Sequence, residues 1–122
     1  MTPARPTILI VDDEKQYLED FKSLFSKKFS VVTASSGQTA LRRVNQGIAV
    51  IVTDQRMPQM TGIELLTEVA KKYPQIYRIL LTGYADAKGV EKALQEGIIN
   101  RYLTKDQPLK EIEFAIKKGL EK

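Results

Sequence analysis

The chain's 122 residues suffice for one domain with a single core, and 43% hydrophobic with 28% charged residues is ordinary globular usage that excludes a disordered polymer. There is no Cys and no His, which excludes disulfides, thiolate chemistry, the commonest general base and the commonest transition-metal ligand. The net charge of +4 is spread over Lys27-Lys28, Arg42-Arg43, Lys71-Lys72 and Lys117-Lys118, each near a predicted helix end where cations complement the dipole, so direct nucleic-acid binding is not expected.

Residues 1–6 read as an N-terminal extension. A first strand is expected over Thr7 to Val11, then a helix from Glu14 to Lys28 with Leu18, Phe21, Leu24 and Phe25 at helical spacing and Asp13 as its N-cap. The second strand is Ser30 to Ala34. Ser35-Ser36-Gly37-Gln38 reads as a capping box opening a helix that ends near Gly47. Strand three is Ala49 to Thr53. After a loop carrying Pro58, a second capping box, Thr61-Gly62-Ile63-Glu64, opens helix three with Leu65, Leu66, Val69 and Tyr73 inward, and Pro74 helps to stop it. Strand four is Tyr77 to Leu81. Helix four lies within Asp86 to Glu96, weakened by Gly89 at a cost of up to about 1 kcal/mol relative to Ala, and Gly97 ends it. Strand five is Ile98 to Leu103, and Pro108 fits the first turn of helix five.

The strands are continuous apolar runs, as in a sheet covered on both faces, and strand alternates with helix throughout. One α/β domain with right-handed crossovers is therefore expected over residues 1–122. No repeat, linker or low-complexity segment interrupts it. No apolar run approaches the roughly 20 residues of a membrane span, and the N-terminus lacks the apolar core of a signal peptide, so a cytoplasmic, membrane-free protein is the expectation.

The polar residues at the strand ends carry the functional signal. The first strand ends in Asp12-Asp13, the third in Asp54 and the fourth in Thr82, while Thr104-Lys105 comes directly after the fifth. In a parallel sheet these residues meet at one edge, the edge where open α/β sheets bind ligands. Three carboxylates, a hydroxyl and an ammonium suit a divalent cation and a phosphoryl group. A Gly-rich dinucleotide turn is excluded by Asp12-Asp13-Glu14, and no P-loop is present. A haloacid-dehalogenase-type phosphatase normally has a second Asp two residues past its nucleophile, where this chain has Arg56.

The stretches Ile10-Val11-Asp12-Asp13-Glu14, Asp54-Gln55-Arg56-Met57-Pro58-Gln59-Met60-Thr61-Gly62, Leu81-Thr82-Gly83 and Tyr102-Leu103-Thr104-Lys105 resemble, in the same order, the receiver domain of bacterial two-component response regulators. The resemblance covers nearly the whole chain. It implies a flavodoxin-like (βα)5 fold with a five-stranded parallel sheet of order 2-1-3-4-5. It also implies phosphoryl transfer from a sensor histidine kinase to Asp54, which suits a chain with no His of its own. By the same resemblance, Asp12, Asp13, Asp54 and the Arg56 backbone carbonyl serve Mg2+, with Asp12 acting through water. Thr82 and Lys105 bind phosphoryl oxygens, and Thr82 with Tyr102 forms the switch. The protein would then be no enzyme beyond its own phosphorylation and autodephosphorylation. A degenerate receiver, acting as a phosphorylation-independent interaction module, is the alternative.

Further expectations concern output and kinetics. The face of helix four, strand five and helix five is expected to change with phosphorylation, to meet an effector domain in a longer protein, and to form a phosphorylation-dependent homodimer. The Asp-Gln-Arg-Met-Pro wording is similar to receivers joined to transcriptional activators or cyclic-dinucleotide phosphodiesterases. Phe114 falls outside the apolar stripe Leu109, Ile112, Ala115, Ile116 and Leu120, and is the candidate contact. Arg56 and Tyr84, two residues past Asp54 and Thr82, border the path of hydrolytic water and are expected to prolong the phosphoryl state. One departure stands out: receivers usually place Pro directly after the lysine, whereas Asp106 follows Lys105 here and is expected to draw on its charge. A cis bond there would cost roughly 2.5–4 kcal/mol and is not expected.

Overall fold

Successive side chains of a strand point to opposite faces, so five apolar strands need cover on both sides, and the helices supply it. The structure, a computed structural model, describes residues 5–83 and 87–121. Strand and helix alternate as β1 (Thr7–Val11), α1 (Lys15–Phe25), β2 (Ser30–Ala34), α2 (Gly37–Arg43), β3 (Ile48–Thr53), α3 (Gly62–Lys72), β4 (Tyr77–Thr82), α4 (Ala87–Gln95), β5 (Arg101–Thr104) and α5 (Leu109–Leu120). The sheet is parallel, with order β2-β1-β3-β4-β5. On one face Leu9, Val11, Ile51 and Leu80 pack with Leu65, Leu66 and Val69 of α3 and with Val90 and Ala93 of α4. On the other, Ile8, Ile10, Val50, Val52, Ile79 and Leu81 pack with Phe21 and Phe25 of α1 and with Ile112, Ala115 and Ile116 of α5. Among the described residues no helix is long and apolar enough to cross a membrane.

Local signals and tertiary packing disagree at several places. Asp13 does not cap α1: Glu14 holds the N-cap position without a side-chain bond, and its amide donates to Asp12 Oδ1 at 2.9 Å. The helix stops at Phe25 rather than Lys28, because the Phe25 carbonyl takes the amides of Lys28 and Phe29 in a closing turn. Leu24 lies outward and 55% exposed, since Phe21 and Phe25, with ring centroids 4.5 Å apart, fill the inner stripe. The cap of α2 is Ser36 rather than Ser35, accepting from the Thr39 amide at 3.1 Å. That helix ends at Arg43, well before Gly47, where Val44 turns extended and becomes buried.

The capping box of α3 is present in full, Thr61 and Glu64 each accepting the other's amide. Ile98 and Ile99 lie outside β5. Their amides both donate to the Ala93 carbonyl, at 2.9 and 3.3 Å, wrapping the end of α4 after Gly97 takes φ +76°. The strand begins only at Arg101.

Candidate functional site

Sheet hydrogen bonds place the polar residues before any side chain acts. The Asp12 amide donates to Ala34 O at 3.1 Å, the Asp54 amide to Val11 O at 3.0 Å and the Lys105 amide to Thr82 O at 3.0 Å. Asp12, Asp54 and Thr82 are buried, whereas Asp13 is exposed at the rim. Asp12, Asp13 and Asp54 each bring a carboxylate oxygen within 4.8 Å of the others. Lys105 Nζ lies 2.6 Å from Asp12 Oδ2, 3.4 Å from Asp54 Oδ2 and 3.4 Å from Glu14 Oε1. The other Asp54 oxygen accepts the Gln55 amide at 2.8 Å.

The departure after Lys105 is resolved differently from expectation. Asp106 takes a hydrogen bond from the Thr104 hydroxyl, and among the described residues it has no ion pair with Lys105. The chain turns at Lys105, so the ammonium goes inward to Asp12 while Asp106 stays exposed. No cis peptide occurs among the described residues.

The loop from Asp54 to α3 is folded tightly onto the site. Gly62 N donates to Gln55 O at 3.0 Å, and the Gln55 side chain accepts from Ile63 N at 2.9 Å. Gln59 sits at φ +72° and Met57 is buried. A Cβ on Gly62 would lie 2.2 Å from the Asp54 carbonyl oxygen, so only glycine lets the helix start this close to Asp54. Arg56 is exposed on this loop. Tyr84 lies outside the described residues. Leu80 pairs with Tyr102 and Thr82 with Thr104, so Thr82 and Tyr102 face the same side of the sheet. There Tyr102 packs, half-buried, on the core shared with α3 and α4.

Asp12, Asp54 and Glu14 thus surround the Lys105 ammonium, and Asp13 joins Asp12 and Asp54 at the rim. Burial pushes the Asp12 carboxyl above the ordinary aspartate range, against the opposing bond from Lys105. Burial pulls the Lys105 ammonium down, but its bond to Asp12 and the charges of Asp12 and Asp54 outweigh that and hold it above the usual lysine range. Lys105 is therefore firmly charged, and the negative excess falls on the aspartates. Such a cluster repels itself and favours a compensating cation. Its donors near the rim are all hard oxygens, the set that Mg2+ or Ca2+ takes, so the acidic pocket can bind a metal ion.

Sequence reading missed two participants. Glu14 reaches Lys105 from the exposed start of α1. The Tyr17 ring lies under the ammonium, 4.6 Å from Nζ to centroid. The signal for Tyr17 was its position four residues before Phe21, on one helix stripe with it and one turn past Asp13.

A family model described as the response regulator receiver domain matches residues 8–117. Among curated proteins, the hydrogenase transcriptional regulatory protein HoxA of Cupriavidus necator is 36% identical over 106 residues, 86% of this chain and 22% of that one. The transcriptional regulatory protein GlrR of Escherichia coli is 34% identical over 116 residues, 93% of this chain and 26% of that one. The chain therefore spans about a quarter of the length of these relatives. A solved structure described as a response regulator receiver domain protein from Clostridium thermocellum matches with TM-score 0.88 at 32% identity, covering 95% of this chain and 94% of that one.

Proposed function

This chain belongs to the response regulator receiver domain family, and from that premise we propose that Asp54 is its phosphoacceptor, served by Asp12, Asp13, Thr82 and Lys105. The observation that carries the assignment is Lys105 Nζ held between Asp12 at 2.6 Å and Asp54 at 3.4 Å in a crevice that also gathers Asp13. A carboxylate oxygen of Asp54 attacks phosphorus, an O–P bond forms, and the P–N bond to a kinase's phosphohistidine breaks with release of imidazole. The chain has no His, so the donor is a partner, a sensor histidine kinase. Lys105 balances charge on the phosphoryl oxygens and Thr82 donates a hydrogen bond to one of them; positioning and charge compensation are what phosphoryl transfer chiefly needs.

Asp12, Asp13, Asp54 and the Arg56 backbone carbonyl would hold Mg2+, which when bound offsets the carboxylates' mutual repulsion and neutralises phosphoryl oxygens. Water reverses the modification on the same residues, and Arg56 and Tyr84 slow its approach. Tyr102 follows Thr82 on their shared face and alters the surface of α4, β5 and α5, which meets a second copy or an effector in a longer, cytoplasmic, transcription-regulating protein. The complete residue set gives no reason to prefer the phosphorylation-independent interaction module.

Incubation with acetyl phosphate and Mg2+ should add one phosphoryl group by intact mass. Equal labelling of Asp54→Ala would refute the assignment.

A further inference from the structure

We infer that Tyr17 is a positioning residue for Lys105: its ring, lying under the ammonium, holds Nζ between Asp12 and Asp54, where a phosphoryl group on Asp54 would meet it. The inference rests on the reading of Lys105 as the phosphoryl-binding cation.

The backbone of Lys105 is tied to Thr82 O, but a flexible four-carbon stem separates that tie from the charge, and such a stem carries substantial rotamer freedom. The next residue is Asp106 rather than a rigid proline, and its carboxylate is occupied by the Thr104 hydroxyl. Three carboxylates pull the ammonium in different directions. Asp12 and Asp54 pull inward, at 2.6 and 3.4 Å, and Glu14 pulls outward at 3.4 Å from a side chain that is 71% exposed.

Tyr17 lies beneath this set. Its ring centroid is 4.6 Å from Nζ, inside the roughly 6 Å reach of a cation–π contact. The Lys105 side chain is only 18% exposed, and desolvation puts such contacts at the strong end of their range. The ring is itself fixed, packed on the core under α1 and α5, with its centroid 6.3 Å from that of Phe21. Its hydroxyl is buried without a hydrogen-bond partner among the described residues, so the position uses the ring and not the phenol oxygen.

A neutral ring has a property that no carboxylate tether could supply. It holds the cation in place without cancelling its charge and leaves ammonium protons free for oxygen acceptors. Lys105 can then pass from the aspartates to a phosphoryl group without losing its anchor.

The test is calorimetric titration of the Mg2+-loaded protein with beryllofluoride, a phosphoryl mimic, on Tyr17 variants in the wild-type and Lys105→Met backgrounds. Tyr17→Leu should weaken binding about five- to thirtyfold, and Tyr17→Phe, which keeps the ring, should restore it to within about twofold. Pentafluorophenylalanine at position 17 keeps the shape, and so the fold, but removes the electron-rich face; it should weaken binding as Leu does. On the Lys105→Met background none of these changes should matter. Wild-type affinity in the Leu and pentafluoro variants, or an equal loss in the Phe variant, would overturn the inference. So would an undiminished loss in the Lys105→Met background. Wild-type affinity in Lys105→Met alone would overturn the reading of Lys105, and this inference with it; loss there with normal Tyr17 variants would overturn this inference only.

Discussion

Arg78 is a strong lever on stability. It lies in β4 at 6% exposure, and among the described residues no carboxylate pairs with it. Its guanidinium donates instead to four carbonyls: Nε to Ile98 at 2.9 Å, Nη1 to Pro74 at 3.1 Å and Ile76 at 2.7 Å, and Nη2 to Gly97 at 2.9 Å. Its amide donates to Asn100 Oδ1 at 2.8 Å. One side chain thus ties the turn before β4 to the turn after α4. Burial holds the guanidinium's pKa below its usual range, the cost of keeping an unpaired cation inside.

Arg78→Met removes that cost together with the bonds that offset it. Hydrogen bonds from charged donors contribute about 1.5–3 kcal/mol each. Simple summation overshoots, because Pro74 and Gly97 are exposed and their carbonyls can turn to water. The bond to the Ile76 carbonyl is buried and Ile98 is half-buried, and an unsatisfied buried acceptor costs about 1–3 kcal/mol. The expected loss is about 3–5 kcal/mol, a large share of the roughly 5–15 kcal/mol of an ordinary domain. Urea unfolding of both proteins measures it, with the midpoint falling and the slope unchanged. Amide exchange at Ile98 and Ile99 should accelerate more than in β1. A loss below about 1 kcal/mol would show that the four carbonyls find water readily and would refute the reasoning.

Gly62→Ala forces a Cβ to within 2.2 Å of Asp54 O and 2.8 Å of Leu80 Cδ1; it should cost about 1–3 kcal/mol by denaturant unfolding and displace Asp54, lowering phosphorylation as well. Gly37→Ala meets only the flexible Met60 side chain at 2.5 Å and should cost less, so equal losses would contradict the distinction between rigid and yielding neighbours. Burial pushes the Tyr17 phenol up to about 12 from 10.0, against the pull of Lys105; a group raised in the folded state contributes stability in full below its unfolded pKa and loses it as pH rises toward the folded one. Wild type should therefore lose stability relative to Tyr17→Phe between about pH 10 and 12, and a constant gap across that window would contradict the burial of the phenol. Phe114, 49% exposed with Lys118 Nζ 5.4 Å above its ring, is expected to join a beryllofluoride-dependent dimer, so sedimentation of Phe114→Ser should show less association than wild type, and identical behaviour with and without the mimic would remove it from any self-contact.

The apolar strand runs and the Thr61 capping box were legible in the sequence, whereas the helix caps and element ends that backbone hydrogen bonds set were not. The capping box at Thr61 and Glu64 is a local side-chain signal and forms as expected. The buried runs of β1, β3 and β4 also read correctly, because both faces of the sheet are covered. Asp13 looked like a cap on local grounds, yet the α1 start is set by the Glu14 amide bonding back to Asp12, a side chain that the crevice already holds in place. Ile98 and Ile99 looked like strand because β-branched residues favour it; the free Ala93 carbonyl at the end of α4 claims their amides instead. Arg78 left no trace in the sequence, because its partners are carbonyls, which every residue carries.

The same division explains the site. Asp12, Asp54, Thr82 and Lys105 were legible as residues at strand ends, since parallel strands deliver their ends to one edge. What holds the ammonium among them was not, because Tyr17 touches Lys105 across 88 positions of sequence, 17 to 105, and through a ring face that carries no formal charge. The crevice keeps carboxylates in excess over one fixed cation, and burial raises Asp12 further. Repulsion among neighbouring carboxylates is relieved when a cation enters, so the aspartates expected to cost stability in the ligand-free protein are also the ones expected to make the crevice receptive. Neutralising one of them, as in Asp13→Asn, is expected to raise ligand-free stability while weakening Mg2+ binding; a variant that is both less stable and equally able to bind the ion would contradict that coupling.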